Sequence, residues 1–307
     1  MSTAARRVLA IDVGGTKVQA AVVDDGGALT DRLAMPADWS DAGAAMVCQI
    51  VALARDAARA RGDLSAVGVA ATGVFSPEGV VAGARPGRER WRGTNLPRLV
   101  QEAVGLPCRA GNDSQLLTLG ECRFGSGRGG RVVLGVSLGT GLGGGVVADG
   151  QLLRGGHGGA GEIGHVCVDM GGRACNCGRR GCVEAYVAGP AVADRYAEAT
   201  GLVLSPEAIC DRAEAGETAA AALLDRVVAE LGAALASVAA VVDPDVVVVG
   251  GGLGMRLRPR LREVAAAIRQ SRLAAGRSQV VAAGLGVAAP LYGAAALALD
   301  AVRDGVA

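Results

Sequence analysis

His165, Cys175, Cys177 and Cys182 fall in the spacing H-x9-C-x-C-x4-C. One imidazole and three thiols at such close range form a Cys3His set, a common tetrahedral arrangement for Zn²⁺ and a poor one for Mg²⁺ or Ca²⁺. Four protein ligands fill the coordination shell, so the ion this spacing predicts is structural and not catalytic. Such an ion pins the loop between the GEIGH run (161–165) and Glu184, and holds Glu162 and Glu184 ready for a substrate. Cys167 is the rival for a ligand place. Cys48, Cys108, Cys122, Cys167 and Cys210 show no metal spacing and read as buried thiols.

A second chemistry lies in the glycines. Backbone N–H groups in a tight turn bind phosphate well, and glycine allows the close approach. DVGGTK (12–17) supplies such a turn, with Asp12 as an acid for hydrated Mg²⁺, the hydroxyl of Thr16 and the chain's single lysine, Lys17. SLGTGLGGG (137–145) supplies another with Thr140, and a third glycine cluster lies at 250–252. There is no GxxxxGK[ST] loop and no GxGxxG opening a helix, so neither the Walker nor the Rossmann reading applies. Each turn alone is equally a hairpin turn; two in one chain point to a nucleotide clamped between two lobes.

AGNDSQLLTLGE (110–121) sets Asn112 and Asp113 at the start of a helix. A helix N-cap explains the pair. So does a general base, since a sugar hydroxyl needs a carboxylate to accept its proton during in-line phosphoryl transfer.

The elements that must position these residues are legible as α/β. Val8–Val13 and Val18–Val23 flank the first turn and read as a hairpin; 132–138 and 146–148 repeat the device about 125 residues on, which hints at two related halves. The run 241–254 reads as an apolar strand entering three glycines and a helix. Alanine-rich helices are expected at roughly 41–61, 114–122, 186–199, 217–240, 256–270 and 290–303. Pro77–Pro97 is the longest irregular stretch and reads as a surface loop.

At 307 residues, half of them apolar, the chain has ample length for a buried core. A net charge of +1 gives no electrostatic case for nucleic acid or an anionic membrane. The start carries too few apolar residues for a signal peptide, and no run approaches the ~18 that a membrane span needs. The expectation is a cytoplasmic protein with reduced thiols.

Together these motifs resemble the ROK family (repressors, open reading frames, kinases), with bacterial glucokinases as its nearest members. DVGGTK and LGTGLGGG match the two phosphate motifs, GAGEIGH with CNCGRRGCVE the zinc signature, VVDPDVVVVGGGL the adenosine-side segment and LYGAAALA the terminal helix. The resemblance implies a two-lobed actin-like ATPase (ribonuclease H-like) fold with the ATP and sugar cleft between lobes. The small lobe would be 1–112, completed by helix 290–307, and would swing onto a large lobe of 113–289 that carries the zinc loop. It implies Asp113 as the catalytic base, and Gly73, Asn112, Glu162, His165 and Glu184 at the sugar, with His165 serving zinc through its other ring nitrogen. Asp12, Gly14, Gly15, Thr16, Lys17, Gly139, Thr140, Gly141, Gly251 and Gly252 would line the ATP and Mg²⁺ site. The partners are then a small-molecule sugar and ATP, in a homodimer or tetramer.

Two departures lie near the sugar. The family's NDANAA is NDSQLL here, and its N-x-x-W is Arg88-Glu89-Arg90-Trp91. Losing that amide leaves one hydroxyl without its usual partner, at ~1–3 kcal/mol, enough to change substrate preference tenfold. The resemblance therefore implies phosphorylation of the 6-hydroxyl of glucose or of a modified glucose such as kanosamine. The alternatives are a C7-cyclitol or N-acyl-hexosamine kinase, some of which serve antibiotic pathways, and a non-catalytic sugar-responsive regulator. Regulators of the family carry an N-terminal helix-turn-helix, for which the first strand, starting near Val8, leaves no room.

Overall fold

The computed structural model describes residues 5–84, 87–270 and 277–305. The chain divides into two units, Met1–Phe124 with Leu152–Ala160 and Ala288–Ala307, and Gly125–Gln151 with Gly161–Val287.

The first unit is built on a five-stranded sheet. Its strands are β1 (Arg7–Val13), β2 (Lys17–Asp24), β3 (Leu29–Pro36), β4 (Leu64–Ala71) and β7 (Cys108–Asn112), in the order β3-β2-β1-β4-β7. β5 (Val74–Phe75) and β6 (Val81–Gly83) form a small separate hairpin. β1 pairs antiparallel with β2 and parallel with β4, and β4 is parallel to β7. α1 (Ala44–Ala60) buries Met46, Ile50, Leu53 and Ala54, one stripe at helical spacing. α2 (Leu96–Val104), with Asn95 capping its N-terminus, buries Leu96 and Val100. The core gathers Ile11, Ile50, Val69 and Trp91.

The second unit repeats that order. β8 (Val132–Leu138) and β9 (Leu142–Ala148) form its hairpin, β10 (Gln151–Leu152) lies at one edge, and β11 (Val246–Gly250) and β12 (Gln279–Ala282) follow in parallel, giving β10-β9-β8-β11-β12. Its helices are α4 (Glu184–Val187), α5 (Gly189–Thr200), α6 (Pro206–Glu214), α7 (Thr218–Val242), α8 (Gly252–Arg256) and α9 (Leu261–Arg269). α7 buries Leu223, Val227, Leu231 and Leu235 in a core shared with Leu134, Val136 and Val247.

Three expectations need correction. The helix foreseen at 256–270 is broken: α8 ends at Arg256, a 3-10 turn holds Arg258–Arg260 around Pro259, and α9 starts afresh. Pro77–Pro97 is not merely a surface loop, because Val81 and Trp91 within it are fully buried. The division also falls later than 112/113. α3 (Asp113–Phe124) stays with the first unit because α10 (Ala289–Arg303) lies directly on it. A Cβ on Gly293 would stand 1.7 Å from the Leu116 carbonyl oxygen, and one on Gly120 2.4 Å from that of Ala289, so the two backbones touch. Small residues permit that approach; Gly68 of β4 likewise meets the Ala294 carbonyl. Among the described residues no helix is long and apolar enough to cross a membrane.

Candidate functional site

In the first unit, β1 and β2 pair to the end of their register at Val13 and Val18, leaving 14–17 as the turn. The Gly14 N–H donates to the Lys17 carbonyl (2.9 Å), and that of Ala37 to the Thr16 carbonyl (3.0 Å). Nothing lies within reach of a Cβ on Gly15, and Gly15, Thr16 and Lys17 are exposed. Asp12 precedes this turn, 9% exposed, with the Gln19 amide 3.4 Å from its carboxylate and no ion pair among the described residues. Burial, and then the nearby Asp113 carboxylate, push its pKa up to about 7, against smaller opposing effects of Gln19 and Lys17. A buried carboxylate beside another acid, with no ion pair among the described residues, suits a divalent ion.

Asp113 is the first residue of α3 and accepts from the Ser114 N–H (2.8 Å). Asn112 ends β7 and caps the helix: its side-chain oxygen accepts from Ser114 N–H (2.9 Å) and Gln115 N–H (3.1 Å), and its NH2 donates to the Gly73 carbonyl (2.9 Å). Gly73 has φ +120° and leaves no room for a Cβ, which would sit 2.7 Å from the Gly83 carbonyl. Asn112 is thus the cap of this pair, and Asp113 stands near enough to Asp12 to act on its charge.

In the second unit the turn is 139–141, between Leu138 and Leu142. The Gly139 N–H donates to the Gly141 carbonyl (2.9 Å) and the Gly139 carbonyl accepts from Gly189 (2.8 Å). Thr140 is exposed. Since Gly250 pairs with Ser137, the third glycine cluster reaches the same end of the sheet: a Cβ on Gly251 (φ +82°) would lie 2.4 Å from the Leu138 carbonyl, and one on Gly139 3.8 Å from the Gly252 nitrogen. Glu184 ties this turn to α4 by accepting from the Leu142 N–H (2.9 Å).

The donor atoms of His165, Cys175, Cys177 and Cys182 all lie within 4.8 Å of one another. The Cys175 Sγ is 3.6 Å from His165 Nδ1, and Cys177 Sγ is 3.6 Å from Cys182 Sγ. The other imidazole nitrogen, Nε2, is 3.8 Å from the Glu162 carboxylate, so the ring faces the thiols on one side and an acid on the other. Burial, then hydrogen bonds to Cys177 and Cys175, push the Cys182 thiol up to about 12, a load that a bound dication would reverse. The donor set fits a tetrahedral metal. Cys167 stands outside it, its Sγ near the Arg180 carbonyl at 3.7 Å. Of the thiols read as buried, Cys108 and Cys210 are so, while Cys48 is exposed and Cys122 and Cys167 are half-buried.

Two residues escaped the sequence reading. Trp39 donates its indole N–H to the Gly14 carbonyl (3.2 Å), with Arg88 stacked on its ring at 3.5 Å and Trp91 edge-on at 5.5 Å. Gln115, 3% exposed, donates to the carbonyls of Gly158 (3.0 Å) and Ala160 (2.8 Å), just before Gly161 and Glu162. A buried amide inside NDSQLL was the one available signal for it. Of the charged run, Arg90 pairs with Asp41 (2.6 Å) and Glu89 accepts from the Gly87 N–H (2.8 Å).

Residues 8–301 match the model of the ROK family. The chain belongs to the ROK family. It is 34% identical to a glucokinase of Streptomyces coelicolor over 314 residues, covering 95% of this chain and 97% of that one. It is 33% identical to the N-acetylgalactosamine kinase AgaK of a Shewanella species, covering 85% of each. Among solved structures, a ROK family glucokinase of Streptomyces griseus in complex with glucose and AMPPNP superposes with a TM-score of 0.80 at 32% identity, covering 96% of this chain and 99% of that one. The fold is the two-lobed actin-like ATPase fold of ROK sugar kinases, and the repeated strand order of the two units is its mark.

Proposed function

We propose that this ROK protein is an ATP- and Mg²⁺-dependent sugar kinase that phosphorylates the 6-hydroxyl of glucose or of a modified glucose such as kanosamine. The observation that carries the reading is the pair of carboxylates beside the first glycine turn: Asp12, buried, and Asp113, near enough to raise its pKa. Paired carboxylates of different environment divide naturally into a cation holder and a proton acceptor. Asp113 accepts the proton of the sugar hydroxyl. The turns Gly14–Lys17 and Gly139–Gly141 lie at the phosphates, where Gly15, Thr16 and Thr140 present backbone N–H groups, with Gly251 and Gly252 at the nucleoside. Mg²⁺, when bound with the nucleotide, neutralises charge on the phosphoryl group, and Asp12 would hold it. Glu162, His165 and Glu184 bind sugar hydroxyls, and a structural Zn²⁺ on the Cys3His set holds the loop that carries them. The complex of the Streptomyces griseus relative with glucose and AMPPNP, an ATP analogue, supports both ligands.

A second reading, an N-acyl-hexosamine kinase, is favoured by the Shewanella relative and by Arg88 in the family's asparagine position. ATP turnover over a panel of glucose, kanosamine, N-acetylhexosamines and C7-cyclitols decides between them. In the same assay Asp113→Asn should lower turnover by ~10²–10⁴ while sugar binding survives. Undiminished turnover in the folded variant removes Asp113 as the base. No turnover with any sugar leaves the regulator reading.

A further inference from the structure

The first unit carries a cavity of about 1020 Å³ along β7, which ends its sheet and has a strand neighbour on one side only. Cys108, Arg109 and Ala110 line it from the strand, and Arg154 from the 152–160 segment. The arginines there are not alike. Arg98 pairs with Glu102 (3.5 Å), and Arg109 with Asp304 (2.9 Å). Arg154 is half-buried, yet its guanidinium makes no hydrogen bond and no ion pair among the described residues. The acid that acts on it, Asp300, already holds Arg123 (2.9 Å) and Arg303 (3.2 Å). Burial, and then repulsion from Arg109, disfavour its charge. The remaining acid of the lining, Glu78, accepts from the Ser76 hydroxyl at 2.7 Å.

A cavity lined by two arginines, one with no ion pair among the described residues, is stabilised by an anion that enters it. We propose that this cavity binds a phosphate group, with Arg154 as its principal ligand and Arg109 as the second. The planar fork of arginine matches phosphate oxygens two at a time. The volume stands at the upper end of small-molecule sites, typically ~300–1000 Å³, and far exceeds what a bare phosphate fills. Two sources share the chemistry, inorganic phosphate and a phosphate monoester carrying an organic remainder. The site does not depend on the reaction proposed above, and either can fail alone.

The test is calorimetric titration of the full chain with inorganic phosphate, with glucose 6-phosphate and with glucose, in the native protein and in Arg154→Ala, Arg154→Gln and Arg154→Lys. Binding of at least one phosphate probe is expected, weakened tenfold or more in the first two variants and in part retained by lysine. Thermal unfolding of each variant without ligand checks that the fold is kept. Within the binding that Arg154→Ala removes, a tighter glucose 6-phosphate component assigns the monoester and an equal one assigns inorganic phosphate; both support the site. Binding unchanged in Arg154→Ala, or absent with both probes in the native chain, overturns it.

Discussion

The indole N–H of Trp39 donates to the carbonyl oxygen of Gly14 at 3.2 Å, fixing the first glycine turn from a residue 25 positions away. Trp39→Phe keeps a smaller aromatic ring beside Arg88 and Trp91 and removes the donor. A neutral hydrogen bond is worth ~0.5–1.5 kcal/mol, so the Michaelis constant for ATP should rise roughly three- to tenfold. Steady-state kinetics at saturating sugar measure it; an unaltered constant would show that the turn holds its shape without Trp39.

Asn112 caps α3 and also holds Gly73. Asn112→Ala should cost about 1–2 kcal/mol of unfolding free energy, read from urea denaturation. Asn112→Ser keeps a capping oxygen, loses the bond to Gly73 and adds no charge beside Asp113, so it should be the milder of the two. Equal losses would mean that the cap contributes little.

Asp12 sets a pH dependence. Its folded pKa, near 7, lies above the ordinary carboxyl value of 3.8. Its contribution to stability is therefore complete below about pH 4 and lost as pH rises through about 7. Relative to Asp12→Asn, the native chain should lose stability across that window in the absence of divalent ions. A cation binds the ionised form, so Mg²⁺ should raise the melting temperature more at pH 8 than at pH 6. The same Mg²⁺ effect at both pH values would detach the cation from Asp12.

Removing the proposed zinc should loosen the loop before it unfolds the unit. Cys177→Ala is expected to lower bound zinc below one per chain and to raise the Michaelis constant for sugar, with that for ATP less affected. Abolished turnover with sugar affinity unchanged would instead make the metal catalytic. Cys167→Ala, outside the donor cluster, should retain stoichiometric metal in elemental analysis.

Gly293→Ala places a methyl group 1.7 Å from the Leu116 carbonyl oxygen, where the backbones of α10 and α3 touch. Overpacking of this kind typically costs ~1–3 kcal/mol, and backbone contact puts it at the upper end. Gly286→Ala, with nothing within 4 Å but φ +56°, is a control for strain alone. A native melting temperature in Gly293→Ala would mean that α10 can shift on α3.

The two hairpins and their turns were legible because an apolar run, a glycine cluster and a second apolar run are a local signal. So was the H-x9-C-x-C-x4-C set. β4 was not: LSAVGVAA is buried at nearly every position, and a buried strand of small residues has no alternation to distinguish it from a helix. The break at Pro259 hid inside an alanine-rich helical pattern, and α2 inside a stretch dense in proline and glycine. Trp39 and Gln115 act on Gly14 and on Gly158 and Ala160, partners 25 to 45 positions distant, and no spacing rule reaches that far.

The membership of α10 in the first unit sets an order on synthesis. The second unit's sheet is complete once β12 has emerged, whereas the first cannot cover β4 and α3 until residues 289–303 have left the ribosome. The glycine and alanine surfaces that later receive α10 are meanwhile exposed on a nascent chain that already holds its first glycine turn and Asp113. The first unit to be translated is thus the last to be finished, and a chain released early would carry the proposed catalytic base on a helix whose packing face lies open.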